Sequence, residues 1–209
     1  AWHNIIKEVI PARKFLYYYA STKEELFGLP GGYIDYIDSN LVLGSNGKGE
    51  MFTLELDAKK FEPVRSNLNE IYKKQNYKGK IIKNLRGRFG VRDLLIDRKD
   101  NLVYASIFVD INKSACYGMA IFKANLNLLS DQNIDKLDFK EYFKTKACNS
   151  NFNGHASGGR IKKLNDNLLF TIGSLDYTKT KQIGAKIAAK RLENLNDEAG
   201  KVITIDKDG

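Results

Sequence analysis

The sequence predicts an all-β fold that is built from a repeated antiparallel unit. Three segments share one pattern: an alternating apolar strand, a short polar turn ending in Asn, then Leu and a second apolar strand. They are YIDYIDSNLVLGS, DLLIDRKDNLVYASI and RIKKLNDNLLFTIGS, with turns that end at Asn40, Asn101 and Asn167. Apolar alternation on both sides of a short polar turn indicates a β-hairpin.

A further strand that opens with glycine follows each hairpin. These strands are GEMFTLELD from Gly49, GMAIFKANLN from Gly118 and GKVITIDKDG from Gly200. Units of three or four antiparallel strands repeated along a chain are typical of a β-propeller. We therefore expect a single partial β-propeller domain over residues 1–209, with about three blades near 31–57, 91–127 and 158–209. The alternative is a β-sandwich in which three hairpins occur by chance.

The distance between the turn and the glycine-led strand grows from the first repeat to the third. We therefore expect insertions at this point of the repeat, clustered on one face, where such folds place functional residues. Apolar residues at helical spacing predict helices in two of the intervening segments, 135–146 and 181–195.

Composition and charge limit the kinds of partner that we expect this chain to bind. The 209 residues carry a net charge of +9 and are 43% hydrophobic, which supports a packed core and argues against disorder. Basic residues are densest between Lys73 and Arg98, but few aromatic residues alternate with them and acids interrupt the charge elsewhere. We expect no nucleic-acid partner, and no transmembrane segment because no apolar run approaches about 18 residues.

Two cysteines, Cys116 and Cys148, are too few for a disulfide framework. They could form one bridge in an exported chain or remain two buried thiols. Because CxxC and HExxH motifs and any His/Cys cluster are absent from the sequence, we predict no metal-ligating residues in this chain.

At the third repeat the sequence resembles a known family. GHASGGRIKKLNDNLLFTIGS followed by AGKVITIDKDG is similar to the soluble quinoprotein sugar dehydrogenases, the PQQ-dependent glucose, aldose and sorbosone dehydrogenases, which are six-bladed β-propellers. A weaker match, GRFGVRDLLIDRKDNLVYASIF, lies upstream, so that the resemblance covers roughly 87–209. The matching residues of the third repeat are His155, Gly159, Arg160, Ile161, Ile172, Gly173, Gly200, Lys201, Val202, Ile205, Asp208 and Gly209.

The resemblance implies an activity and a set of site residues. His155 occupies the position of the general base that takes the proton of the sugar hydroxyl while hydride passes to the quinone, a role that a neutral imidazole can fill. PQQ and calcium are the implied cofactors, and a sugar or polyol is the implied substrate. The implied cofactor-binding residues are Arg88 and Arg160, with Arg92 close to the same segment. A periplasmic or other extracytoplasmic location is implied as well.

The sequence also departs from the family pattern. Arg88 replaces a polar residue, often Gln, that faces the sugar in the glucose enzymes, and Gly154 and Ser174 replace Asp residues of the motif. The resemblance places the family's later quinone-binding residues and its calcium loop beyond residue 209. We therefore expect the remainder of a propeller, or another chain, to cover the open blades. The alternative function is a non-catalytic β-propeller module that binds a partner.

Overall fold

Three antiparallel β-sheets make up the computed structural model, which describes residues 33–75, 90–111, 113, 115–127, 134–150, 158–175 and 193–206. The first sheet contains, in order, β1 (Tyr33–Tyr36), β2 (Leu41–Ser45), β3 (Met51–Glu55) and β4 (Lys60–Val64). The second contains β5 (Val91–Asp97), β6 (Leu102–Asp110), β7 (Tyr117–Asn125) and β8 (Lys140–Lys144). The third contains β9 (Gly158–Leu164), β10 (Asn167–Ile172) and β11 (Lys201–Ile205), with β10 in the middle. A short helix, α1 (Leu68–Lys74), follows the first sheet.

The three predicted hairpins are confirmed as β1–β2, β5–β6 and β9–β10. The asparagines of the first two turns have equivalent roles. The carbonyl of Asn40 accepts the N–H of Leu56 at 2.8 Å, and that of Asn101 accepts the N–H of Leu126 at 2.7 Å. Asn101 has a φ of 52°, a left-handed conformation that asparagine tolerates better than most residues. Each of these turns is thereby joined to the residue that follows the third strand of its sheet.

The predicted position of the insertion is wrong for the second repeat. Only a short connection joins β6 to β7, because both are longer strands than β2 and β3 and take up the extra residues. The long connection inside a sheet occurs between β10 and β11, where the N–H of Gly200 donates to the carbonyl of Gly173 at 2.9 Å. The first two sheets also have a fourth strand that the repeat pattern did not indicate.

The helix predicted over 135–146 is wrong, because this segment contains the edge strand β8. Leu137 and Phe139 are buried two residues apart, which is the spacing of an extended chain. Asn67 fixes this segment by accepting the N–H of Phe139 at 2.7 Å and donating to its carbonyl at 3.0 Å. The second predicted helix, over 181–195, lies almost entirely outside the described residues.

Two hydrophobic clusters lie on opposite faces of the second sheet. Alternate residues of β6 contribute to each: Val103, Ala105 and Ile107 pack toward the first sheet, whereas Tyr104 and Phe108 pack toward the third. Side chains of successive strand residues point to opposite faces. The second sheet is therefore sandwiched between its neighbours, which explains why eight of the nine residues of β6 are apolar or small.

One strand of each sheet lies beside the next sheet. These inner strands are β1, β5 and β9, and β5 is hydrogen-bonded to both of the others: its backbone to Asp35 of β1, and its Asp93 side chain to the backbone of β9. The contacts between β5 and β9 run in the same direction along both strands. Asp93 contacts Ile161, and Asp97, which lies later in β5, contacts Lys163, which lies later in β9. The inner strands are therefore parallel to one another, and all three begin at one end of the sheets, which we call the strand-start face.

Cys116 and Cys148 form a disulfide, with their Cα atoms 5.3 Å apart. The bond joins the start of β7 to the chain that leaves β8, beside a backbone pairing of Tyr117 with Asn149. The sequence left open whether the two cysteines form a disulfide or remain buried thiols, and the structure shows the disulfide. Among the described residues, no helix has the length and apolar character needed to cross a bilayer.

Replacing both cysteines by serine should lower the free energy of unfolding by about 3–4 kcal/mol, because the bridge closes a loop between residues 32 apart in sequence. Urea denaturation measures the loss. A reductant should move the wild-type protein toward the variant and leave the variant unchanged. Equal stability of wild type and variant under oxidising conditions would contradict the assignment.

Candidate functional site

The third residue of each inner strand forms a continuous set of contacts between sheets. These residues are Asp35 in β1, Asp93 in β5 and Arg160 in β9. The carboxylate of Asp35 accepts the backbone N–H of Ile96 at 2.7 Å, and that of Asp93 accepts the N–H of Ile161 at 2.8 Å. Each aspartate therefore fixes the inner strand of the following sheet, and the third sheet carries arginine at the same place.

Arg160, predicted as a cofactor-binding residue, is paired with Asp93. Its Nη1 donates to Asp93 Oδ1 at 2.8 Å, and its guanidinium lies 5.2 Å from the centroid of the Tyr33 ring. The Asp93 side chain is 11% exposed, whereas that of Arg160 is 67% exposed. Asp93 thus balances the charge of Arg160, while much of the guanidinium still faces the strand-start side of the sheets.

Gly158 and Gly159 bring the start of β9 unusually close to its neighbours. Both have positive φ, at 69° and 100°. A Cβ at Gly159 would lie 2.6 Å from the Cβ of Arg92 and 2.9 Å from Cε of Met119, closer than side chains tolerate. Ser106 adds a buried hydrogen bond of 2.5 Å from its Oγ to the carbonyl of Gly159. The two glycines of the predicted motif are therefore required by packing and by backbone conformation.

Arg92 lies between the second and third sheets against this glycine. Its guanidinium is 5.6 Å from the centroid of the Phe108 ring, and its Nε is buried without a hydrogen-bond partner. No carboxylate of a described residue forms an ion pair with it. Arg92 and Arg160 thus differ in kind, because only Arg160 has a neutralising acid.

The predicted base, His155, and the predicted ligand residue Arg88 lie outside the described residues. The described chain on either side of His155 is held by specific contacts. Before it, Glu198 accepts the N–H groups of Lys146 and Ala147 at 2.6 and 3.0 Å, and the disulfide holds Cys148. After it come the glycines packed against Arg92. Both flanks therefore lie at the strand-start face.

A charged cluster lies toward the other end of β9. Lys163 donates to Asp97 and, at 2.8 Å, to Asp100. Partial burial disfavours the charged form of Lys163, but the hydrogen bonds to Asp100 and Asp97 outweigh it and raise the pKa of the amine above its ordinary range. The hydrogen bond from Lys163 lowers the pKa of Asp100. This cluster joins the second and third sheets and is structural.

The described ranges contain no group of three or more His, Cys, Asp or Glu side chains that could hold a metal ion. The residues that sequence reasoning missed are Asp93 and Ser106. Asp93 carried a signal, since an aspartate recurs at the third position of β1 and β5, where a strand otherwise favours apolar or β-branched residues. Ser106 carried none, because its partner in β9 is distant in sequence.

Comparison with solved structures finds a similar fold. The chain superposes on a crystal structure from Thermus thermophilus of a proposed oxidoreductase (glucose dehydrogenase) with a TM-score of 0.52 and 17% identity. The match covers 87% of this chain and 44% of that one, so this chain spans less than half the length of its structural neighbour. Neither a protein-family model nor a curated protein sequence matches. The likeness shows that this chain shares the all-β fold of that structure.

Replacing Lys163 by Met should lower the free energy of unfolding by about 2–3 kcal/mol near pH 7, because Asp97 would keep a buried charge without its cation. Because the pKa of Lys163 is raised, its stabilising contribution is complete below the ordinary value of 10.5 and is lost as the pH rises through the higher folded pKa. Because the pKa of Asp100 is lowered, its contribution is complete above the ordinary value of 3.8 and is lost as the pH falls through the lower folded pKa. Denaturation curves across pH should show the largest difference between these limits.

The matched control is Lys162→Met, since Lys162 is exposed and precedes Lys163 directly. It should change stability by no more than about 0.5 kcal/mol. Equal effects of the two substitutions would contradict the structural role of the cluster.

Proposed function

We propose that the chain is part of a six-bladed β-propeller dehydrogenase that oxidises an aldose or other polyol with PQQ as hydride acceptor. The observation that supports this most is the position of Gly158, Gly159 and Arg160, which belong to the motif GHASGGR and lie at the strand-start face next to Arg92. The histidine of the motif precedes Gly158 by three residues in the sequence. The fold of the structural neighbour is compatible with this proposal.

In this proposal His155 is the general base. Three peptide units join His155 to Gly158, so the Cα atoms of the two residues can be about 11 Å apart at most. A neutral imidazole there would accept the proton of the sugar hydroxyl, a role that contributes typically about 10²–10⁴-fold to the rate. The chemistry that PQQ supplies when bound is acceptance of the hydride.

The described residues fit a quinone that carries carboxylates. The buried Nε of Arg92 is a donor without an acceptor among the described residues, and close packing of Gly159 against the Arg92 stem fixes the position of this side chain. We propose that Arg92, Arg88 and the exposed part of Arg160 hold the carboxylates. Calcium belongs to the proposal through the family resemblance, and we place its site outside the described residues.

The third sheet has an open face that supports the proposed larger propeller. Leu164 and Val202 are 52% and 64% exposed on β9 and β11, whereas Val42 and Phe52 on the outer face of the first sheet are 3% and 2% exposed. We propose that a further sheet, from the remainder of a propeller or from another chain, covers this face. The disulfide supports an extracytoplasmic location, because such bonds persist in oxidising compartments.

A second candidate function is a non-catalytic propeller module that binds a partner. The observation that favours it is the pairing of Arg160 with Asp93, which leaves this arginine less available to a cofactor. The two candidates differ in one measurable respect, since only the dehydrogenase would bind PQQ and reduce a dye at the expense of a sugar.

A dye-reduction assay on the complete propeller of which we propose this chain is a part, with PQQ, calcium and a panel of aldoses and polyols, tests the proposal. Activity is expected, and His155→Ala should lower kcat by about 10²–10⁴-fold because the proton acceptor is lost. The control is His3→Ala, which removes the only other histidine of the sequence and should retain activity. Full turnover by His155→Ala would overturn the role of the base, and inactivity of the wild type across the panel would overturn the dehydrogenase proposal.

A further inference from the structure

β11 is the outermost strand of the third sheet, whereas the third strands of the first two sheets, β3 and β7, lie between two neighbours. Among the residues that the structure describes, none pairs with the outer side of β11. The side chains of Met51 in β3 and Ile121 in β7 face the following sheet and are 2% and 0% exposed. Val202 of β11, which faces away from the second sheet, is 64% exposed. The third strand is therefore covered in two sheets and open in the third.

The backbone of β11 has hydrogen-bonding groups on this open side. Its described pairing is with β10 and includes all five residues of the strand. Along an antiparallel pair, residues that bond to one neighbour alternate with residues whose N–H and C=O groups point to the other side. Alternate groups of β11 thus point to an edge at which no described strand lies, and such an edge is a template for a further strand.

The outer strands of the first two sheets carry residues that discourage further pairing, and β11 does not. β4 (KFEPV) combines Lys60 and Glu62 with Pro63, which cannot donate to a ladder. β8 (KEYFK) has charged residues at three of its five positions. Charged side chains and proline protect exposed edges. β11 (KVITI) has one charged residue, at its start, and then four β-branched residues, a composition that favours β-structure and gives no such protection.

The first two sheets show which strand fits such an edge. Each has a fourth strand that runs antiparallel to the third and places an apolar residue opposite the covered one. Val64 lies opposite Met51 in the first sheet, and Phe143 lies opposite Ile121 in the second. The Phe143 ring also packs edge-to-face on an aromatic ring of the third sheet, with centroids 6.1 Å apart. The strand that fits β11 therefore runs antiparallel to it, with a large apolar residue opposite Val202.

The shortness of β11 decides between two sources for this strand. A second copy of the chain offers its own β11, but two paired five-residue strands bury far less than about 800 Å² per partner, the area of a standard stable interface. A strand of the same polypeptide meets β11 at a high effective concentration, so a short pairing suffices. β4 and β8 both belong to the same polypeptide as the strands that they pair with. These observations favour a strand of the same polypeptide.

We propose that β11 is an acceptor edge for a fourth strand that the remainder of the propeller supplies, antiparallel to β11 and with a large apolar residue opposite Val202. This strand extends the third sheet sideways through backbone hydrogen bonds, whereas the further sheet proposed above packs on its face. The source of the strand rests on the proposed larger propeller, but the acceptor edge does not require redox activity.

Amide hydrogen exchange tests the proposal in the complete protein. The β11 amides that bond to β10 are the internal control, because they exchange slowly whether or not a fourth strand is present. The alternate amides of β11 should exchange as slowly as these in the complete protein. They should exchange at least about 100-fold faster in the 209-residue chain, where the edge is open. Fast exchange of the alternate amides in the complete protein would overturn the proposal.

Substitution of Val202 gives a second readout. Val202→Lys should lower the Tm of the complete protein by about 2–4 °C, because a charge replaces an apolar residue that the fourth strand covers. In the 209-residue chain the same change should lower Tm by no more than about 1 °C, since the side chain is already exposed. Leu195→Lys is the matched control, because Leu195 is 89% exposed outside the strands and its change should leave both Tm values unaltered. Equally small effects of Val202→Lys in both proteins contradict the fourth strand.

The outcomes separate this inference from the proposed function. Slow exchange of the alternate β11 amides in a complete protein that reduces no dye supports the acceptor edge and overturns the dehydrogenase. Dye reduction together with fast exchange of these amides overturns the acceptor edge and leaves the dehydrogenase standing. Protection of the same amides that rises with the concentration of the 209-residue chain assigns the edge to a second copy and overturns the fourth strand.

Discussion

The structure depends on one constraint: the second sheet must be covered on both faces. β6 is buried along nearly its whole length, with alternate residues facing the first and third sheets. A single antiparallel sheet with an apolar pattern on both faces cannot fold alone in water, since one face would remain exposed. Association of the three sheets is therefore part of folding, and the order of the sheets follows the order of the chain.

Stacking of the sheets places their inner strands side by side and determines where polar groups are tolerated. The backbone N–H groups of β5 and β9 that point toward the preceding sheet have no partner in their own sheet, and Asp35 and Asp93 supply one. Arg160 neutralises the carboxylate of Asp93. Arg92 has no such partner among the described residues.

The sequence predicted what depends on local pattern and missed what depends on distant partners. The hairpins are local, since alternation, a polar turn and a left-handed asparagine act within a few residues. The segment 135–146 was misread because Leu137, Phe139, Tyr142 and Phe143 suit one face of a helix as well as an extended chain, and only pairing with Asn67 and β7 decides between them. The partner of Arg160 is 67 residues away, so no sequence window contains it.

Part of the motif that resembles the quinoprotein dehydrogenases has a structural explanation. Gly158 and Gly159 are required by packing at the strand-start face, so a part of the motif has a structural cause that would hold without catalysis. The Arg92 stem packs against Gly159, but its Nε is buried without a partner among the described residues. The proposed function assigns this arginine to a carboxylate of the cofactor.

A crystal structure of the protein grown with PQQ tests this account most directly. The account predicts electron density for the cofactor at the strand-start face, with a carboxylate within hydrogen-bond distance of Arg92 Nε and the imidazole of His155 on the side of the substrate. Density at a site away from β5 and β9, or a paired Arg92 with no ligand beside it, would contradict the account.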